Sequence, residues 1–342
     1  MSTRIELIDT RTAAERDLVA LHDLYLVRDE ELGPAGDPPM PVEARLVDWQ
    51  NLLESEAIPR YALWEGRRIL ATSGAWLDLE QNLENAFGWV YVHPDHRGNG
   101  LGRLIGAPML DGLHGDRRAR LAIEINQGRS EEGIARRAGL KPAFTERRSR
   151  LRFSGVDWSL MELWVERAQE RAHDYEVLFF SSPIPDEYLQ PFCDLWQVMN
   201  TAPREDYVED DEVLTPENLR DMEAKDEAKA KEVLTYVARH KPTGALVGFT
   251  EVTCHRLQPD LVWQGDTGVD PAHRNKGLGR WLKAEMALRL RDEHPEVRRI
   301  DTYNAGSNAP MLSINIEMGF EPIMTDTVWQ GDLATLRERL RV

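Results

Sequence analysis

Residues 92–102 read VHPDHRGNGLG, and residues 269–279 read VDPAHRNKGLG. Two nearly identical turns in one chain point to a duplication, and their flanks agree. Upstream, GRRILATSG from Gly66 lines up with TGALVGFTE from Thr243, with Ile69 against Leu246 at the interval that separates Arg97 from Arg274. Downstream, Ala138-Gly139-Leu140-Lys141-Pro142 matches Met318-Gly319-Phe320-Glu321-Pro322, and Phe153-Ser154-Gly155 echoes Trp329-Gln330-Gly331. These correspondences keep one order and nearly one interval, so the chain carries a domain twice. The period is far too long for a solenoid.

With 342 residues the chain has room for two domains of ordinary size. Copy one is expected over 1–157 and copy two over 175–342. A connecting helix at 158–174 places Leu160, Leu163, Trp164 and Ala168 near helical spacing. Each copy reads as strand, two helices, antiparallel strands, glycine turn, long helix, strand, helix, strand, which is an α/β fold. In copy two the pattern predicts strands over 245–253, 260–269 and 300–303. It predicts helices over 185–200, 278–291 and 309–318, the last stopped by Gly319. Another helix starts at Thr215, an N-cap followed by Pro216. Pro108 is expected to kink the long helix of copy one.

Composition narrows the class. Hydrophobic residues make up 42% and charged residues 30%, as in a folded chain with a core. Asp plus Glu number 59 against 42 Lys plus Arg, and the net charge of -17 repels a phosphate backbone. Nucleic acid is therefore not an expected partner, whereas a cationic small molecule is favoured. Cys193 and Cys254 stand far apart, which leaves no disulfide framework or cysteine metal cluster, and no metal site is expected. No apolar run approaches the ~18 residues of a membrane span. The N-terminus carries charge where a secretion signal needs an apolar stretch, so the expectation is a cytoplasmic monomer or homodimer.

The turns carry the chemistry. Arg97, Gly98, Asn99, Gly100, Leu101 and Gly102 in copy one, and Arg274, Asn275, Lys276, Gly277, Leu278 and Gly279 in copy two, follow a strand and open a helix. Backbone N–H groups at a helix start lack intrahelical partners, and the helix dipole favours negative charge there. Glycines let the backbone wrap an oxygen-rich group. Basic residues cluster at both turns of this acidic chain, so a pyrophosphate is the expected ligand. There is no GxxxxGK[ST], and neither turn continues as GxGxxG with an acidic residue ~20 positions on.

The pattern Val-x-Pro-x-x-Arg-x-x-Gly-x-Gly, followed by a strand and a helix ending in Met-Gly-Phe-x-Pro, resembles the GNAT superfamily of acyl-CoA-dependent N-acyltransferases, in its tandem form. The resemblance implies two mixed, centrally splayed sheets flanked by helices, with acetyl-CoA or another acyl-CoA as cofactor. It implies that the turn amides hold the pyrophosphate and that the backbones of Val90 and Val92, or Thr267 and Val269, pair with pantetheine. The amide of Val90 or Thr267 is implied as the oxyanion donor. In copy two it implies cofactor contacts for Asn304 and Asn308. The family's usual acid, a Tyr, is replaced by Asn315 here and by Ala135 in copy one, which leaves Tyr303 as the other candidate acid. The usual Glu is replaced by Trp263 and Ala86.

A base is still needed, because only a neutral amine attacks a thioester. Glu251 and Asp266 are the nearest carboxylates on the hairpin, and their faces depend on the strand register. His255, beside a turn, is a weaker candidate. The acidic run from Glu205 to Glu212 is expected as a solvated loop or as a mouth that attracts an amine, with Trp196 and Trp263 either in the core or lining that mouth. The reading is transfer of a short acyl group to a primary amine of a small molecule, with turnover in copy two. The alternative is a non-catalytic CoA-binding or sensing module. Aminoacyl transfer from tRNA is disfavoured by both intact turns and by the charge.

Overall fold

The computed structural model describes residues 3–341. In chain order the first part holds β1 (Thr3–Ile8), α1 (Glu15–Leu32), α2 (Val42–Gln50), β2 (Glu56–Ala57), β3 (Arg60–Glu65), β4 (Arg68–Asp78), β5 (Asn85–Val92), α3 (Leu101–Gly115), β6 (Arg120–Asn126), α4 (Glu131–Ala138) and β7 (Lys141–Arg152). The remainder holds α5 (Trp158–Arg171), β8 (Tyr175–Ser181), α6 (Asp186–Trp196), α7 (Pro216–Ala228), β9 (Lys231–His240), β10 (Leu246–His255), β11 (Leu261–Val269), α8 (Leu278–Glu293), β12 (Arg299–Ala305), α9 (Ala309–Met318), β13 (Glu321–Asp332) and α10 (Leu333–Leu340). The mixed α/β class and the repeated element order are those the sequence implies.

Two compact units form, and their limits depart from the sequence copies. One comprises residues 1–146, 204–210 and 324–342; the other comprises 147–203 and 211–323. In the N-terminal unit the strands run β1-β3-β4-β5-β6-β13, so the last strand of copy two completes the sheet of copy one. Its core gathers α3 and α4 with Trp329, Leu333 and Leu336, and a second cluster lies under α1 and α2. In the C-terminal unit the order is β7-β12-β11-β10-β9-β8. There α5 contributes Met161, Trp164 and Ala168 to the core of α8, so the segment expected as a connector is part of the packing.

Local chemistry explains the ends of the elements. Thr215 accepts from the N–H of Asn218 and Asn308 from that of Met311, each capping a helix that has Pro in its first turn. Gly319 closes α9 at φ 97°, a left-handed position that costs glycine nothing. The helix expected over 185–200 is α6 followed by a 3-10 segment, Gln197–Thr201. Pro108 does not break α3, which continues through it as one helix. The acidic run is a largely exposed loop, as expected, and its backbone is held by hydrogen bonds. Within the N-terminal unit, Val208 exchanges hydrogen bonds with the Gln330 amide, Asp210 N–H donates to Asn82, and Asp206 N–H donates to Ala143.

Candidate functional site

Each unit contains a parallel pair that opens. In the C-terminal unit β11 pairs with β12 only from Leu261–Gln264 against Arg299–Thr302. Beyond that, Gly265–Val269 and Tyr303–Ala305 diverge. In the N-terminal unit β5 pairs with β6 from Asn85–Gly88 against Arg120–Ile123, and Val90 beyond the fork is 45% exposed. Asp270 N–H donates to Val247 on β10, and His93 N–H donates to Leu70 on β4. Peptide groups alternate sides along a strand, so those of Thr267 and Val269, and of Val90 and Val92, face the openings.

At the end of each opened strand lies the glycine turn. Gly98 and Gly100 have φ 81° and 75°; Asn275 and Gly277 have φ 62° and 82°. This shared left-handed geometry explains why asparagine, which tolerates it, substitutes for Gly98 in copy two. A Cβ added at Gly98, Gly100 or Gly277 would meet nothing within 4 Å. The arginine of each turn donates through Nε to its own strand, Arg97 to the Val92 carbonyl at 3.1 Å and Arg274 to the Val269 carbonyl at 2.9 Å. Leu101 and Leu278 start the helices, and Gly279 lies against Ile314 of α9. Asn99 donates to the His96 carbonyl, and Lys276 is exposed.

Beyond the backbone, the two turns differ. Arg97 makes a two-pronged contact with Glu31 of α1, Nη1 to Oε1 at 2.8 Å and Nη2 to Oε2 at 2.6 Å. Arg129 and the Tyr91 hydroxyl donate to the same carboxylate, and these donors, the Arg97 hydrogen bond foremost, hold Glu31 down at about 2. Arg274 instead donates to the Thr201 hydroxyl at 2.9 Å.

Glu251 and Asp266 come together. Between Thr250↔Thr267 and Val252↔Gln264 the register shifts, so Glu251 alone faces both Gly265 and Asp266, a bulge in β11. Glu251 Oε1 would lie 3.3 Å from a Cβ on Gly265. Burial first, then the Asp266 charge, push Glu251 well above the usual carboxylate range, against the Asp266 backbone N–H that hydrogen-bonds it. Burial also raises Asp266, opposed by a hydrogen bond from the Trp196 indole. On the other side of the strands Thr250 and Thr267 hydroxyls bond at 2.7 Å, and Gln264 donates to the Glu251 carbonyl at 2.6 Å, which fixes the bulge.

Next to the bulge, Trp263 stacks on Tyr303, centroids 5.9 Å apart and planes within 3°. The Arg148 guanidinium lies 4.7 Å from the Trp263 ring. Arg148 and Arg150 of β7 both bond Asp301 of β12, which is 0% exposed. Asn315 is buried at 2%, donates to Asn304 Oδ1 at 2.7 Å and leaves its own Oδ1 without a partner. Asn304 thus ties α9 to β12, and the Asn308 side chain is engaged as a helix cap. His255 ends β10 and is buried. Sequence reasoning missed the arginine–aspartate triad, whose members lie far apart in the chain. It also missed Glu31, whose only signal was an acidic residue late in a helix.

These features define a class. The fold is that of the GCN5-related N-acetyltransferases, present twice in one chain. A tandem GNAT protein from the clavulanic acid biosynthesis pathway, solved without AcCoA, superposes with a TM-score of 0.78 at 21% identity, over 97% of this chain and 99% of that one. A GCN5-related N-acetyltransferase from Sphaerobacter thermophilus gives 0.69 at 16% identity, over 97% and 96%. No protein-family model matches the chain, and no curated protein matches it. Among the described residues no helix is long and apolar enough to cross a membrane, and no group of His, Cys, Asp and Glu is arranged to hold a metal ion.

Proposed function

We propose that the chain transfers an acetyl or other short acyl group from acyl-CoA to a primary amine of a small molecule, with turnover in the C-terminal unit. The observation that carries this reading is the Glu251–Asp266 pair, two carboxylates of raised proton affinity that face each other across β10 and β11, the latter leading into the anion cradle. The N-terminal unit has Gly74 and Trp89 at the register positions of that pair and no acid–base group there.

The space at Gly277 and its counterparts fits a pyrophosphate, so Arg274, Asn275, Lys276, Gly277, Leu278 and Gly279 would hold that part of the molecule, with Thr267 and Val269 along its arm. Bound acyl-CoA supplies an acyl carbon already activated as a thioester. The Glu251–Asp266 pair attracts the acceptor ammonium and takes one proton from it, so that the nitrogen lone pair becomes available. The Thr267 N–H faces the opening, where it can stabilise charge growing on the carbonyl oxygen. Asn315 cannot serve as an acid, and a thiol near pKa ~8.5 leaves acceptably as thiolate at neutral pH. Trp263 and Tyr303 wall the acceptor side, and Tyr303 is the remaining hydroxyl for late proton delivery.

Thiol release from acetyl-CoA with a panel of amines tests the proposal. Wild type should turn over at least one amine, and Gly277→Glu, which puts a carboxylate into the cradle, should abolish it. Gly277→Asn controls for backbone strain and should retain most activity. Cofactor binding without thiol release from any amine would instead support the non-catalytic sensing module.

A further inference from the structure

The N-terminal unit holds an arginine for which acyl transfer has no use. Arg60 opens β3 and is only 4% exposed, yet its Nε and Nη1 are buried without a hydrogen-bond partner. Its company is aromatic: the guanidinium carbon lies 4.9 Å from the Trp49 ring centroid, 5.3 Å from Trp89 and 5.8 Å from Tyr25. Every other deeply buried arginine among the described residues has acceptors. Arg45 bonds His22 and Asp29, Arg118 bonds the carbonyls of Asn85 and Asp78, and Arg148 and Arg150 bond Asp301. Beside Arg60, Trp89 Nε1 is also buried and without a partner.

Ring faces offset part of the cost of desolvating a cation, but they accept none of its in-plane N–H groups. An unpaired buried charge costs more than that. The arrangement is also built, not incidental. Arg60 pairs with Gly74 across β3–β4, and Gly74 with Trp89 across β4–β5. A Cβ at Gly74 would sit 2.4 Å from Trp89 Cζ2, so only glycine lets the indole lie over that strand with its N–H turned inward. The corresponding positions in the C-terminal unit carry the Glu251–Asp266 acids, so the polarity of this face is reversed between the units.

We infer that Arg60 and Trp89 form a binding site for a small, flat monocarboxylate in the N-terminal unit. A carboxylate accepts the in-plane guanidinium N–H groups in a two-pronged contact and can take the indole N–H as well. Tyr25, Trp49 and Trp89 suit a planar or short apolar body. Trp89 is half-buried, and it is the wall that reaches solvent.

Calorimetric titration of the full chain with sodium benzoate, with benzamide and inorganic phosphate as comparisons at constant ionic strength, tests the site. Benzoate should bind saturably, one per chain, with Kd in the ~millimolar range or tighter, and benzamide should give no signal. Trp89→Phe, which keeps the ring and removes the donor, should weaken benzoate about tenfold, and Arg60→Met should abolish binding. Arg60→Met should also melt higher than wild type without ligand, because it removes an unpaired buried charge. If that variant does not fold, Arg60 is a structural keystone and the site fails. Absence of benzoate binding, equal response to benzamide, unchanged affinity in Trp89→Phe, or tighter binding of phosphate would each overturn the assignment.

Discussion

At the scale of the residue, Glu251 and Asp266 tie activity to stability with opposite signs. Both are held above their ordinary values, so the folded protein keeps protons that the unfolded chain releases. Their contribution to stability therefore falls as pH rises from the unfolded value, about 4.3 for Glu, through the raised folded value. A base must be deprotonated, so kcat/KM should rise over the same interval. Glu251→Gln should lower kcat by ~100-fold and raise the melting temperature at pH 8, with KM for acetyl-CoA nearly unchanged. A variant that loses rate and stability together would show Glu251 to be structural. Both carboxylates were legible as candidates from the sequence. Their meeting was not, because a single extra residue in β11 decides it, and no local pattern announces a bulge made of Gly265 and Asp266. Lys283 was equally hidden. It sits on α8, 2% exposed, with the Phe320 ring 5.7 Å from Nζ, and burial pulls it down to about 7. Its folded value is depressed, so the penalty is full below pH 7 and fades as pH rises toward the unfolded ~10.4. Lys283→Met should therefore raise the melting temperature at pH 6 and do so much less at pH 10.

At the scale of elements, the two arms of each opening are held by different means. In the C-terminal unit the Asn304–Asn315 hydrogen bond fastens α9 to β12 behind the turn. Asn315→Ala removes that bond and opens a void, and the arm that should flank acyl-CoA loosens. The expected result is a rise in KM for acetyl-CoA of about tenfold with a smaller change in kcat. A fall in kcat alone would show that Asn315 acts on the chemistry. In the N-terminal unit the fastening is ionic, with Glu31 joining Arg97 of the turn after β5 to Arg129 of the loop after β6. Glu31→Gln should free Arg97 and strengthen CoA binding at that turn, read as a change in the second site by calorimetry; unchanged binding would mean that the bridge is neutral to the ligand. The turns themselves were fully legible, because strand, glycines and helix start are contiguous in sequence. The bridges were not, since Glu31 and Arg97 meet only after α1 has packed on the sheet.

At the scale of the molecule, the duplication predicts two self-sufficient halves, whereas the structure exchanges their last strands. Sequence could not show this, because β7 and β13 have the same local pattern whichever sheet they join. The consequence is physical. Residues 1–157 alone would lack β13, which pairs with β6 from Asp326↔Asn126 to Asp332↔Arg120, and would lack the core side chains Trp329, Leu333 and Leu336. Residues 175–342 alone would lack Leu151, Met161 and Trp164 from their core. They would also leave Asp301 buried without Arg148 and Arg150, and breaking a buried pair in this way costs about 3–5 kcal/mol. An uncovered edge at β6 or β12 further invites aggregation. Each half expressed alone should therefore show no cooperative melt, while co-expression of residues 1–174 with residues 175–342, which restores α5 as well as the exchanged strands, should give one complex that melts close to the intact chain. Asp301→Asn in the intact chain should lower the melting temperature markedly, since it removes the negative charge and puts an amide NH2 in place of one of the two oxygens that accept from two buried guanidinium groups. A half that melts cooperatively by itself, near the temperature of the whole, would show that the exchanged strands are dispensable.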